Sequence, residues 1–167
     1  MVPEIFYQTV AQLAFTLLGL WWLVLQTKYG EWIHHRPRRR MATTITLYFL
    51  LPGSMSLLAL LATNVRLLWQ VSFIVAGLIG GGATIFFLRN VRASPWRNPW
   101  SIRILHLASS AGIVLYAFIV VVALIADVLR THGIAPLTVE GVGVTLLVIT
   151  GITLAWTFFT EPFAAEK

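Results

Sequence analysis

His106, Ser109, Ser110 and Tyr116 are polar side chains carried at helical spacing by one long apolar stretch of this chain. Positions three and four apart share a helix face, so a helix here sets an imidazole beside two hydroxyls, with the phenol about two turns further on. An imidazole near neutral pH can relay a proton or ligate a metal; its plainer role is a hydrogen-bonded histidine near the membrane interface. Glu31, His34 and His35 repeat a spacing that metals accept, at the end of the first apolar stretch. Only one copy of that set exists, whereas a bis-histidine haem takes ligands from facing helices, so no cofactor and no metal are expected.

Backbone chemistry is offered by Pro52 and Gly53, with Ser54 and Ser56 beside them, in the middle of the second apolar stretch. Proline removes an amide donor and clashes with the preceding turn, which releases carbonyls near Tyr48, while Gly53 admits another backbone or a water. A helix broken in this way can line a substrate or ion pathway; a simple kink is the plain alternative. In the third stretch Ser72, Ala76, Gly80 and Thr84 recur at four-residue spacing as a stripe without bulk, and Gly77 and Gly81 match the GxxxG pattern along which helices approach closely in lipid. Packing within the chain or between copies is the expected use of that stripe, with a glycine hinge as the alternative. If the two helices run antiparallel, Pro52, Gly53, Ser54, Ser56, Gly80, Gly81 and Thr84 fall near one depth and form the candidate pathway.

The acidic residues are Glu4, Glu31, Asp127, Glu140, Glu161 and Glu166, and none falls at the centre of an apolar stretch. A proton-coupled pump needs a titratable group well inside the membrane, so a carboxylate-driven mechanism is disfavoured. Asp127 and Glu140 are expected as solvated charges at helix ends. The absence of cysteine excludes disulfides, thiolate metal sites and cysteine nucleophiles. There is no HExxH, no GxSxG, no phosphate-binding glycine loop and no paired acidic motif of metal-dependent lipid phosphotransferases, so an enzyme is the third choice.

The elements that carry these residues follow from composition. Apolar residues make up 58% of the 167 and charged residues 11%, so water cannot be the solvent for most of the surface. Five continuous apolar runs, residues 5–26, 41–63, 67–88, 104–128 and 137–159, are each long enough to cross a hydrocarbon core about 30 Å thick as a helix. They do not alternate with period two, which excludes a β-barrel. The expected fold is an all-α bundle of five transmembrane helices in a single domain. The opening MVPEIFYQ lacks a basic n-region and is read as the start of a retained span. Asn64, Val65 and Arg66 make a hinge so short that spans two and three must be antiparallel neighbours.

Ten of the twelve basic residues lie in the first loop, the third loop or the C-terminus, against Arg66 and Arg130 on the other side. The positive-inside rule then puts the N-terminus out and the C-terminus in, in a cytoplasmic (inner) membrane. Trp21, Trp22, Trp32, Trp96, Trp100 and Trp156 are expected near the cytoplasmic headgroups and Trp69 near the outer ones. The run His34-His35-Arg36-Pro37-Arg38-Arg39-Arg40 sets topology and can grip anionic headgroups through Arg36, Arg38, Arg39 and Arg40. Charge confined to loops in this way argues against nucleic acid as a partner.

Spans one and two and spans three and four share a pattern of helix, basic loop with Trp and Pro, helix, yet no helical residues align, so topology rules explain the likeness better than a repeat. In length, span number and tryptophan content the chain is similar to the translocator protein family. The first loop, Tyr29-Gly30-Glu31-Trp32-Ile33-His34-His35-Arg36-Pro37, lacks that family's tryptophan–proline motifs, so no residue role is carried over. The functional expectation is a channel-like or transporter subunit acting as a homo-oligomer through glycine-rich faces. An accessory or assembly subunit docked on a membrane-protein partner is the alternative.

Overall fold

The computed structural model describes residues 2–27, 30, 36–61, 66–91 and 99–160. Six helices carry nearly all of them: α1 Val2–Thr27, α2 Arg36–Leu61, α3 Arg66–Val91, α4 Pro99–Leu124, the short α5 Ala126–Thr131 and α6 Pro136–Thr160. Five are long and apolar enough to cross a membrane, in agreement with the five expected spans. A helix is the one open-ended element that satisfies every backbone donor within itself, which lipid demands.

The helix ends follow local rules. α4 and α6 start on Pro99 and Pro136, where the missing amide hydrogen costs no helical bond. The fourth expected span, 104–128, is divided: α4 stops at Leu124 and α5 follows after Ile125. α5 then ends at Gly133, the one described residue with positive φ (74°). Gly133 N donates to Arg130 O and Ile134 N to Leu129 O, each at 3.0 Å, the paired bonds of a Schellman cap that glycine closes without a Cβ penalty. α2 begins at Arg36, so the arginine run assigned to a loop forms the first turns of a helix; arginine is a good helix former and its long stem lets the charge stay at the surface. α2 also passes through Pro52 without interruption, and α3 through its glycines.

α2 is the most enclosed span. It packs against α1, α3 and α6, while α4 closes the far side against α3 and α6. At its middle, Tyr48 points into the space between four helices. Its hydroxyl presses on Gly112 of α4 and its Cβ lies 2.9 Å from where a methyl group at Gly151 of α6 would stand. Its ring meets that of Tyr116 of α4 at 5.6 Å. Thr84 Oγ1 of α3 lies 3.4 Å from the Tyr48 hydroxyl; because Thr84 gives its only hydrogen to Gly80 O at 2.8 Å, the phenol is the donor of that pair.

Both ends are closed by aromatic contacts. At one, Trp21 of α1 is buried, gives its indole N–H to Thr46 Oγ1 at 3.1 Å, and stacks edge-on against Phe158 at 5.3 Å. At the other, Tyr7 of α1 meets Phe73 of α3 at 6.5 Å and Phe73 meets Trp69 at 5.8 Å, with the Arg130 guanidinium 6.0 Å from the Trp69 ring. Trp21 and Trp69 therefore hold helices together instead of facing headgroups, whereas Trp22, Trp100 and Trp156 are exposed.

Gly112→Leu forces a side chain into the Tyr48 hydroxyl and should lower stability by about 3 kcal/mol or more. Gly82→Leu, at an exposed glycine with nothing within 4 Å, should leave it unchanged. Reversible unfolding in mixed micelles with rising SDS fraction checks both.

Candidate functional site

Most hydroxyls in the bundle bond the carbonyl one turn back in their own helix. Thr9, Thr16, Thr44, Thr46, Thr145 and Thr157 do so at 2.7–3.0 Å. Ser54 does the same with Leu50 O. Self-satisfaction is the cheapest way to carry a hydroxyl through lipid. Against that background, four buried residues keep side-chain oxygens without a hydrogen-bond partner among the described residues: Ser56, Ser109, Tyr116 and Glu140.

Glu140 is the most consequential. It was expected as a solvated helix-end charge, and the structure overturns that: the residue is 0% exposed and neither carboxyl oxygen has a partner. The reason is its helical phase. Glu140 lies on the stripe of α6 that also holds Val144, Leu147, Gly151, Leu154 and Phe158, all buried. Four residues past Pro136 put it about one turn inside the helix start, where Val10 of α1, Phe73 of α3 and Ala123 of α4 are also buried. Tyr7 faces it from α1, with a phenol already donating to Leu137 O at 2.6 Å. An unpartnered carboxylate in such a place is very costly, so the group must hold a proton or face a cation.

Register joins Glu140 to the three hydroxyls. Tyr48 stands level with Gly151, and a methyl group at Gly143 would fall 3.0 Å from Ile119. Counting along the helices from these contacts, Ser56 stands level with Gly143, Tyr116 about a turn beyond, Tyr48 and Thr84 a turn further, and Ser109 last. Successive members rise by about 5 Å and the file covers about 20 Å of the axis. A rise of that size suits one bridging water between neighbours.

The other expected residues divide. Gly80 lies under the Tyr116 ring and Gly77 against Val120, both of α4, and a methyl group at Gly81 would stand 3.5 Å from Tyr116 Cβ. Ala76, Gly80 and Thr84 are buried and Ser72, half-buried, donates to Trp69 O at 2.8 Å, so the small-residue stripe is used inside the chain and is not free for a second copy. Pro52 is buried, and a methyl group at Gly53 would stand 3.1 Å from the Phe15 ring of α1 whereas one at Gly80 would meet Tyr116 of α4, so the two glycines of the expected Pro52–Gly80 pathway face different helices. Ser56 joins the file, whereas Ser54 is half-buried and self-satisfied. His106 is half-buried and Ser110 exposed, while Ser109 and Tyr116 point inward, which splits that cluster.

Arg36, Arg39 and Arg40 are exposed, and two guanidiniums lie over aromatic rings, Arg38 5.6 Å from Phe158 and Arg40 5.1 Å from Phe86. Glu31, His34 and His35 lie outside the described residues, as do Asn64 and Val65. No group of three histidines or carboxylates able to hold a metal occurs among the described residues. A shallow apolar groove of about 600 Å³ runs between α1 and α6, lined by Phe6, Tyr7, Leu137, Gly141 and Leu146 among others. Comparison with protein families, with characterised proteins and with solved structures finds no match.

Sequence reasoning missed Glu140, Tyr7 and Tyr48. For Glu140 a signal was present: its spacing of four, seven and eleven from Val144, Leu147 and Gly151 places it on the apolar stripe and not at the helix margin.

If the carboxyl is as unpartnered as its surroundings indicate, Glu140→Met, which keeps the bulk and removes the polar atoms, should stabilise the bundle by about 1–3 kcal/mol. Unfolding in SDS micelles measures it, and a loss of stability would reveal a structural partner for the carboxyl.

Proposed function

We propose that the chain is a channel-like or transporter subunit whose pathway runs inside its own bundle, along Glu140, Ser56, Tyr116, Tyr48 and Ser109. One observation carries this reading: among the described residues, the buried side-chain oxygens left without a partner belong to that interior file. Native interiors pair nearly all their polar groups, and in a membrane protein the exceptions line routes for ions or protons. A scaffold held by shape alone has no use for such groups, since a methyl in place of each hydroxyl packs as well.

In this reading the pathway is complete in one copy. Any homo-oligomer assembles through lipid-facing surfaces and not through the glycines of α3, which face α4. The end of the bundle that carries Arg36, Arg38, Arg39 and Arg40 faces the cytoplasm and touches anionic headgroups, in accord with the concentration of basic residues there. The carboxyl end then faces outward, and the membrane is the cytoplasmic one.

Reconstitution into liposomes loaded with pH- or ion-sensitive dyes tests conduction. Flux above that of empty liposomes is expected, suppressed in Ser56→Leu, which fills the file, and preserved in Gly82→Leu on the outside. Sealed vesicles containing folded protein would instead favour the accessory-subunit alternative. Sidedness is checked separately, since the chain has no cysteine of its own. A cysteine at exposed Ile134 should react with an impermeant maleimide in intact cells, and one at exposed Arg103 only after lysis.

A further inference from the structure

We infer that Glu140 is the proton-binding site of this protein, taking up and releasing a hydrogen ion at the outer mouth of the interior file; the inference rests on the pathway reading above and names the species that the pathway handles. Three observations lead there. Glu140 is fully enclosed, both its oxygens are unpartnered, and it sits at the end of the file with hydroxyls following at intervals of about one turn.

The choice of proton over metal ion follows from the neighbours. A hard cation such as sodium or calcium collects roughly six oxygen ligands. At the level of Glu140 the register brings Val10 of α1, Ala59 of α2, Phe73 of α3 and Ala123 of α4, all buried and without side-chain oxygen. Tyr7 adds one phenol, which is occupied by the Leu137 carbonyl, and Ser56 stands about a turn deeper. The carboxylate, Tyr7, Ser56 and the Gln70 carboxamide offer at most five side-chain oxygens spread over more than a turn, fewer than a hydration shell's roughly six, whereas a proton needs only the carboxylate itself.

The charges around it are few. Tyr7 is the titratable group that faces Glu140 from α1, with Glu4 exposed one turn before it. The facing positions of α2, α3 and α4 carry no titratable group; their polar side chains are Ser56 and half-buried Gln70, whose Nε2 donates to Ala123 O at 3.3 Å. Asp127, Arg130 and His132, in α5 and its cap, are exposed. No cation thus enters the bundle alongside the carboxyl among the described residues, and the proton itself is what neutralises it.

The test is reaction with dicyclohexylcarbodiimide, which partitions into lipid and modifies protonated carboxyls there. The carboxyl proton passes to one carbodiimide nitrogen as the carboxyl oxygen bonds to the central carbon, and the acyl group then migrates to nitrogen to leave a stable N-acylurea. Full-length protein in liposomes is treated across a pH series and its peptides are weighed. The expected result is one reagent mass on the peptide containing Glu140, declining as pH rises, absent in Glu140→Gln and unaffected by sodium against choline at equal ionic strength. Glu140→Asp, which keeps an acid, should regain labelling, and size-exclusion profiles confirm that both variants fold.

Labelling confined to Glu4 or Asp127 overturns the assignment, and protection by sodium overturns the proton in favour of a metal ion. The two readings separate cleanly. Labelling at Glu140 without flux sinks the pathway and leaves the proton site; flux that persists in Glu140→Gln sinks the proton site and leaves the pathway.

Discussion

The bundle depends on the seating of Tyr48. Inside lipid there is no hydrophobic gain in pressing one apolar helix on another, so association must come from close fit and from the few polar contacts available. Tyr48 supplies both, with its ring in the notches left by Gly112 and Gly151 and its hydroxyl bonded to Thr84. That single side chain brings α2, α3, α4 and α6 to one point. Gly80 admits Tyr116 beside it by the same logic, so the pair of phenols fills the centre of the bundle.

Once those four helices are fixed, the fate of Glu140 is settled. It shares a stripe with Gly151, and the stripe must face inward for Gly151 to receive Tyr48. α1 then covers the gap between α2 and α6 through Trp21 at one end and Tyr7 at the other, which shuts the carboxyl away from lipid. A leucine at position 140 would serve that packing at least as well, so the carboxyl is not there to hold the fold. Its presence is the feature of the interior that packing alone does not explain.

What the sequence disclosed and what it concealed divide along a physical line. Span number and approximate limits were legible because they depend on hydropathy summed over about twenty residues, which needs no partner. The role of small residues in α3 was legible as close approach, but the identity of the approaching group was not, because Gly80 contains no information about Tyr116. The same limit hid Tyr48: its notch is assembled from α4 and α6, remote in the chain. Glu140 was misjudged for a different reason. Nearness to the end of a span does not imply exposure, because exposure at a helix end depends on azimuth and Glu140 lies on the inward stripe of α6. The arginine run was set in a loop because charge was treated as a helix boundary, although α2 starts within it.

The two ends of the file differ in a way that bears on how it would operate. Beside Glu140 the closure includes the buried Tyr7 phenol, which packs on Phe73 and gives its one hydrogen to Leu137 O. At the arginine end, Trp21 is locked by Thr46 and Phe158, and the guanidiniums of Arg38 and Arg40 lie over aromatic rings. Positive charge there repels a hydrated cation approaching from that side, and beyond Ser109 no acid occurs among the described residues. The two ends of the proposed pathway therefore differ in electrostatics, with a carboxyl near one and exposed guanidiniums at the other. For an interior site of the kind proposed, that asymmetry makes the arginine end, and not the carboxyl end, the larger electrostatic barrier to a cation.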